Sequence, residues 1–196
     1  MSMRDALLAV TLLFPLAACS QDPAPDWVSE ARAKTGQLGS QLISALNEAL
    51  SEQGPVGGIR VCNVKAPEIA ARVSGNGFEV GRTALRVRNP DNVPDDWEAA
   101  VLHRFEASMK QGADPAELEA WQIETIDGDG DGDDDDDRVG RYMKAIPTGP
   151  QCVVCHGESI APELAETIDR LYPEDRATGF APGELRGAFT ATVELP

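Results

Sequence analysis

Residues 152–156 of this 196-residue chain are Cys-Val-Val-Cys-His, and this run constrains the chain more than any other feature. Two thiols at this spacing lie on one face of a helical turn, so both can add to the vinyl groups of one porphyrin. The adjacent imidazole is then placed to bind the iron as an axial ligand. A disulfide loop or half of a zinc site is the competing interpretation, but zinc would need two further ligands. We therefore predict one covalently bound c-type haem, with Cys152 and Cys155 as attachment points and His156 as a ligand.

The N-terminal segment predicts export. Arg4 precedes an apolar run over residues 6–16, which is too short to span a bilayer and is typical of a signal-peptide core. The small residues before Cys19 resemble a bacterial lipobox. We expect a signal peptide over residues 1–18, lipidation at Cys19 and a polar tether over residues 19–26. Ordinary secretion, or an uncleaved buried segment, is the alternative.

Haem attachment of this type also needs an exported chain, so the two motifs agree. The expected location is the periplasmic side of a bacterial membrane, with the lipid anchor as the membrane contact.

Residues 27–196 are long enough for one domain with its own core. The net charge of −16 argues against nucleic acid as a partner.

An acidic insertion loop is predicted over residues 127–138. Residues 127–132 match the first half of an EF-hand calcium loop, but position twelve would be Arg138 instead of the usual Glu. A solvated acidic loop between strands is the better interpretation than a structured calcium site.

Cys62 is the one cysteine that lipidation and haem attachment leave unused. It is either an inert buried thiol or the sixth ligand of the iron. Residues 57–62 predict a turn and a short extended stretch, and residues 63–73 predict a helix. Cys62 would then lie at a helix start, where exposed N–H groups favour thiolate, the form that binds iron.

The other possible sixth ligands fit less well. Met109 and Met143 precede the haem motif, unlike the ligand of a class I cytochrome c, and both lie on apolar patterns typical of a core. His103 falls within a predicted helix over residues 95–111, on the face opposite its apolar stripe. A solvated role for His103 is therefore favoured over ligation.

Further elements are predicted from hydrophobic periodicity. A long helix is expected over residues 27–53, capped by Asp26 and ended by Gly54. Strands are expected over 78–87, 118–126 and 141–146, and a helix follows the haem motif from about Ile160 to Leu171. The tail alternates, with Leu185 and Phe189 facing one way and Arg186 the other. A strand there argues against the four-helix cytochrome c′ fold.

Several motifs together resemble the PAS-like c-type haem domains that have long been catalogued as a domain of unknown function. They are Val-Cys-Asn-Val-Lys-Ala-Pro-Glu-Ile-Ala at 61–70, Gly-Arg-Thr-Ala-Leu-Arg-Val-Arg-Asn-Pro-Asp-Asn at 81–92, Pro-Asp-Asp-Trp-Glu at 94–98, and the haem motif through Gly157. The similarity covers about residues 27–196. It implies an α+β fold with a PAS-like antiparallel sheet, flanking helices and a long N-terminal helix. It also implies an iron ligated by His156 and Cys62.

Arg82, Arg86 and Arg88 are weaker candidates for cofactor binding. Side chains at this even spacing share one face of a strand, where they could meet the haem propionates. A solvated basic face is the equally simple alternative.

We expect a monohaem protein that acts in electron transfer or redox sensing and is not an enzyme. Anionic thiolate stabilises ferric iron, so a low reduction potential is predicted. The alternative is a CO or NO sensor in which the Cys62 ligand is displaced and a partner protein carries the output. A haem enzyme ranks last, because a six-coordinate iron leaves no open site. The redox or signalling partner is not identified by the sequence.

Overall fold

The structure, a computed structural model, describes residues 24–126 and 137–196. Within these residues a four-stranded antiparallel sheet has the order β1-β4-β3-β2. The strands are β1 (Phe78–Thr83), β2 (Glu119–Ile126), β3 (Asp137–Pro147) and β4 (Leu185–Leu195). The helices are α1 (Asp26–Arg60), α2 (Ala66–Val73), α3 (Asp96–Lys110), α4 (Val153–His156) and α5 (Pro162–Leu171).

Helices cover both faces of the sheet. On one face α1 and α2 bury Leu38 and Ile69 against Tyr142 and Ala191 of the central strands. On the other face α3 packs its apolar stripe against β3 and β4. This arrangement confirms the predicted α+β fold, with an antiparallel sheet, flanking helices and a long N-terminal helix.

Helix α1 is interrupted where the sequence predicted its end. Gly54 has φ 67° and ψ −168°, a left-handed backbone that glycine adopts without strain. Pro55 then starts a second helical segment that runs to Arg60, because proline is tolerated in a first helical turn. At the other end Pro25 is the N-cap residue, so the predicted capping role of Asp26 is wrong. Asp26 lies in the first turn instead.

The predicted turn and extended stretch over residues 57–62 is also wrong. These residues are helical, and a π-helical turn (Val61–Lys65) joins α1 to α2 without a break. The glycines serve close packing, since a Cβ on Gly57 would lie 2.4 Å from the Cβ of Gln53. A Cβ on Gly58 would lie 3.1 Å from a methyl carbon of Leu50. Cys62 therefore lies inside a continuous helical path and not at a helix start.

The first predicted strand is shorter in the structure. Strand β1 ends at Thr83, after which the backbone N–H of Ala84 donates to the carbonyl of Asn92 and a 3-10 turn (Pro90–Asn92) follows. By contrast, β3 begins at Asp137 and not at the predicted Arg141, so Asp137 and Arg138 belong to this strand and not to the predicted acidic loop.

Strand β4 confirms the predicted C-terminal strand but contains a bulge. Ile146 pairs with Gly187, whereas Pro147 pairs with Leu185, which leaves Arg186 as the additional residue. A bulge of this kind redirects the side chain that it carries.

Three predictions fall outside the described residues: the signal peptide over 1–18, lipidation of Cys19, and the calcium half-loop over 127–132. Among the residues that the structure describes, no helix combines the length and apolarity needed to cross a membrane.

Candidate functional site

The Cys-Val-Val-Cys-His run forms the short helix α4. The backbone N–H groups of Cys155 and His156 both donate to the carbonyl oxygen of Cys152, at 3.2 and 2.9 Å. Gly157 ends the helix, and a Cβ there would lie 2.5 Å from the carbonyl oxygen of Val153. Both thiols are free and half-buried in the structure. Burial raises the pKa of the Cys155 thiol. The positive charge of Arg88 opposes this shift, and the nearby thiols of Cys62 and Cys152 add to it.

The imidazole of His156 is held in one tautomer. Its Nδ1 lies 2.6 Å from the carbonyl oxygen of Ala177, and a carbonyl can only accept, so Nδ1 carries the proton. The lone pair is therefore on Nε2, the atom available to a metal. Burial, together with the charges of Arg186 and Arg88, lowers the pKa of His156 to about 3. The ring is thus neutral at physiological pH, as ligation requires.

A buried ion pair supports this histidine. Arg88 and Asp175 are 2.9 Å apart, and their side chains are 8% and 6% exposed. Arg88 also donates to the carbonyl oxygen of Cys155 at 2.7 Å, while Asp175 accepts from the backbone N–H of Ala177 at 2.8 Å. The pair therefore connects α4 to the loop that carries the acceptor for His156.

One cavity brings the predicted site residues together. Cys62, Cys152, Cys155 and His156 all line it. Much of the remaining wall is apolar: Leu42, Ile43, Leu46, Leu50, Ile59, Val61, Ile146 and Phe189. Leu42, Leu46 and Leu50 lie on one side of α1, face this cavity and are only half-buried. His103 is exposed on α3, in agreement with its predicted solvated role.

The three arginines of the sequence prediction do not share a strand face. Because β1 ends at Thr83, only Arg82 belongs to the strand, so the strand-face prediction is wrong. Arg82 and Arg88 line the cavity, but Arg86 is not among its lining residues. Arg86 is exposed, donates to the carbonyl oxygen of Thr178 at 2.9 Å and covers the ring of Phe180.

Sequence reasoning missed Arg186, which also lines the cavity. The alternating pattern of the tail predicted that Arg186 lies on the polar face of the last strand. The bulge in β4 instead turns its side chain toward the cavity. The adjacent Gly187 was the available signal, because glycine within a strand often marks a bulge or a close backbone approach. Here a Cβ on Gly187 would lie 2.4 Å from the carbonyl oxygen of Thr83.

The fold and this cavity define a helix-flanked antiparallel-sheet domain with a late Cys-X-X-Cys-His motif at its internal site. The chain belongs to the Tll0287-like family, whose model matches residues 21–194. This match confirms the family that the sequence motifs predicted.

The fold is also similar to that in the crystal structure of the cyanobacterial heme-protein Tll0287. The two share 23% identity with a TM-score of 0.61, over 89% of this chain and 98% of that chain. No curated protein matches this chain.

Proposed function

We propose that this chain is a c-type haem protein whose single haem is attached at Cys152 and Cys155 and ligated by His156 and Cys62. The observation that carries the proposal is that Cys62, distant in the sequence, lines one largely apolar cavity together with Cys152, Cys155 and His156. The family membership and the similarity to a heme-protein support it.

The thiols of α4 suit covalent attachment. Each thiol would add across one vinyl C=C bond, with sulfur bonding to one carbon and the thiol hydrogen going to the other, so no oxidant is needed. The two sulfurs lie one helical turn apart on α4, which matches two attachment points on one porphyrin. His156 follows directly and keeps Nε2 free because Nδ1 is occupied by Ala177.

Cys62 supplies the second donor atom to the cavity. Haem, when bound, supplies one-electron chemistry between ferric and ferrous iron. A thiolate at Cys62 would favour the ferric state, so the protein would work at a low reduction potential.

We propose electron transfer or redox sensing as the physiological role, without an enzymatic activity. Cys62 and His156 would both be engaged in holding the iron, which would leave no open position for a substrate. The lipobox-like segment before Cys19 supports a lipid-anchored protein on the periplasmic side of a bacterial membrane. A redox or signalling partner would then meet it outside the cytoplasm.

A second candidate role, sensing CO or NO, is favoured by the backbone at Cys62. Cys62 lies within the π-helical turn Val61–Lys65, and such turns are frequently found at functional sites. We infer that this irregular backbone lets the Cys62 side chain move away, so an external diatomic ligand could replace it.

Expression of the full chain with a c-type maturation system tests the attachment. We expect one haem per chain by a haemochrome assay, and a mass that keeps the haem after denaturation. The Cys152→Ala/Cys155→Ala variant should lose haem on denaturation, whereas Val154→Ala, which changes an exposed side chain between them, should keep it. A wild-type chain that matures without covalent haem would contradict the proposal.

A further inference from the structure

Three guanidinium groups line the haem cavity of a chain whose net charge is −16: Arg82, Arg88 and Arg186. Arg88 is paired with Asp175. In the described part of the chain, neither Arg82 nor Arg186 lies within salt-bridge distance of a carboxylate. Positive charge is therefore concentrated in a place where the described protein does not neutralise it.

The surroundings of Arg186 disfavour its positive charge. Burial, together with the charges of Arg82 and Arg88, lowers the pKa of Arg186 to about 10. Its hydrogen bond is a long one, from Nη1 to the carbonyl oxygen of Arg86 at 3.4 Å, and its guanidinium carbon lies 5.2 Å from the centre of the Phe180 ring. A half-buried charge without a counterion is unfavourable, so such an arrangement indicates an anionic ligand.

Arg88 adds a third positive charge beside the cavity, but its N–H groups are not directed to a ligand there. Its side chain is 8% exposed, and its Nε atom has no hydrogen-bond partner within the described residues, although Nη2 is fully engaged. Nε of Arg88 is itself fully buried, so Arg88 acts on the cavity through its charge and not through this N–H.

The cavity thus fits an amphiphilic ligand with an apolar body and anionic groups. Leu42, Leu46 and Phe189 can pack against a flat hydrocarbon surface, and the arginines can bind carboxylates. We propose that Arg186 and Arg82 bind the two propionate carboxylates of the haem, with the nearby Arg88 adding positive charge. This inference rests on the proposed function and adds Arg186, which the bulge in β4 directs toward the cofactor.

Titration of the haem-free full-length chain with haemin and with haemin dimethyl ester tests the assignment, because the ester lacks both carboxylate charges. The wild type should bind haemin at least about tenfold more tightly than the ester, since charge-assisted hydrogen bonds are the strong ones. Arg186→Gln and Arg82→Gln should each reduce this preference, and Arg186→Lys should restore part of it. Arg86→Gln is the matched control outside the cavity and should leave the preference unchanged.

Stability provides a second readout. Haem-free Arg186→Gln should unfold at the same or a higher temperature than the haem-free wild type, because it removes a half-buried charge that has no counterion. The covalent holoprotein with Arg186→Gln should show a lower reduction potential, since less positive charge faces the iron.

Equal affinity of the wild type for haemin and its ester would overturn the propionate assignment and leave haem binding intact. Loss of affinity for both porphyrins to the same degree in Arg186→Gln would also overturn it. Failure of the wild type to bind either porphyrin would instead contradict the proposed function.

Discussion

His156 Nδ1 and the carbonyl oxygen of Ala177 are 2.6 Å apart, and this hydrogen bond sets which ring nitrogen faces the cavity. Ala177 is itself positioned by Asp175, which accepts from the Ala177 backbone N–H at 2.8 Å and pairs with Arg88 at 2.9 Å. A chain of contacts therefore links the buried ion pair, through Asp175 and Ala177, to His156, whose Nε2 is the atom proposed to bind iron. Partners of this kind orient metal-binding histidines and tune their basicity.

Asp175→Asn should destabilise the protein by about 3–5 kcal/mol, because it leaves the buried guanidinium of Arg88 without its counterion. The holoprotein should also show a higher reduction potential, since the acceptor for Nδ1–H is less firmly held and His156 becomes a weaker donor. Chemical denaturation and spectroelectrochemistry measure the two effects.

Asp169→Asn is the matched control, because Asp169 is an exposed carboxylate on α5. It should change stability by less than about 0.5 kcal/mol. Equal stabilities for the two variants would show that the Arg88–Asp175 pair contributes nothing to the fold.

Local patterns predicted much of this molecule. The spacing in residues 152–156 identified α4 and its thiols, and the apolar stripe of α3 placed His103 on the solvent side correctly. The alternation of the tail identified β4. Each of these features depends on residues close together in the sequence, where helix and strand periods are directly visible.

The errors arose where packing between distant segments decides the backbone. The turn predicted at Gly57 and Gly58 is helical because those glycines allow contact with Gln53 and Leu50. The direction of the Arg186 side chain depends on a bulge opposite Ile146 and Pro147. The periodic pattern of the sequence does not predict this shift in the register of β3 and β4. Arg82 and Arg88 do line the cavity, but from a strand end and a loop and not from one strand face.

If Cys62 binds the iron as proposed, Cys62→Ala should change the ferric spectrum and raise the reduction potential, because it would remove the thiolate donor that favours ferric iron. Spectroelectrochemistry of the wild type and the variant measures both. Val64→Ala is the control: it changes an exposed residue of the same π-helical turn and should behave as wild type. An unchanged ferric spectrum in Cys62→Ala would refute ligation by this residue.

Carbon monoxide separates the two candidate roles. If the protein senses gases, the reduced wild type should bind CO with displacement of Cys62, and Cys62→Ala should bind it more readily because no protein donor competes. If it only transfers electrons, the reduced wild type should keep its spectrum under CO while Cys62→Ala binds it. Absorbance changes in the reduced proteins report these outcomes.

Gly187→Ala should destabilise the protein by about 1–3 kcal/mol, since its Cβ would lie 2.4 Å from the carbonyl oxygen of Thr83 and push β1 away from β4. Gly36→Ala should stabilise it by about 0.5–1 kcal/mol, because Gly36 lies within α1 with no atom near its missing Cβ. Thermal unfolding of both variants measures the contrast. A stabilised Gly187→Ala protein would mean that the strands can separate there without cost.

Glu119 connects β2 to α1 and to the core. It accepts two hydrogen bonds from Arg32, at 2.9 and 2.6 Å, and one from the buried hydroxyl of Tyr142 at 2.9 Å. The hydrogen bonds from Arg32 lower the pKa of Glu119 below its ordinary value of 4.5, against the opposing effect of burial. The contribution of Glu119 to stability is therefore complete above about pH 4.5.

As the pH falls below 4.5, the unfolded chain protonates Glu119 before the folded protein does, and this contribution is lost through the folded pKa. Glu119→Gln should consequently cost roughly 1–2 kcal/mol at pH 7 and less at pH 3. Glu117→Gln, at an exposed carboxylate nearby, should match the wild type at both pH values. Unfolding free energies from urea titrations at several pH values measure the difference, which must shrink on acidification if the Arg32 interaction is its cause. A Glu119→Gln cost that is independent of pH would assign the effect to packing of the side chain instead of its charge.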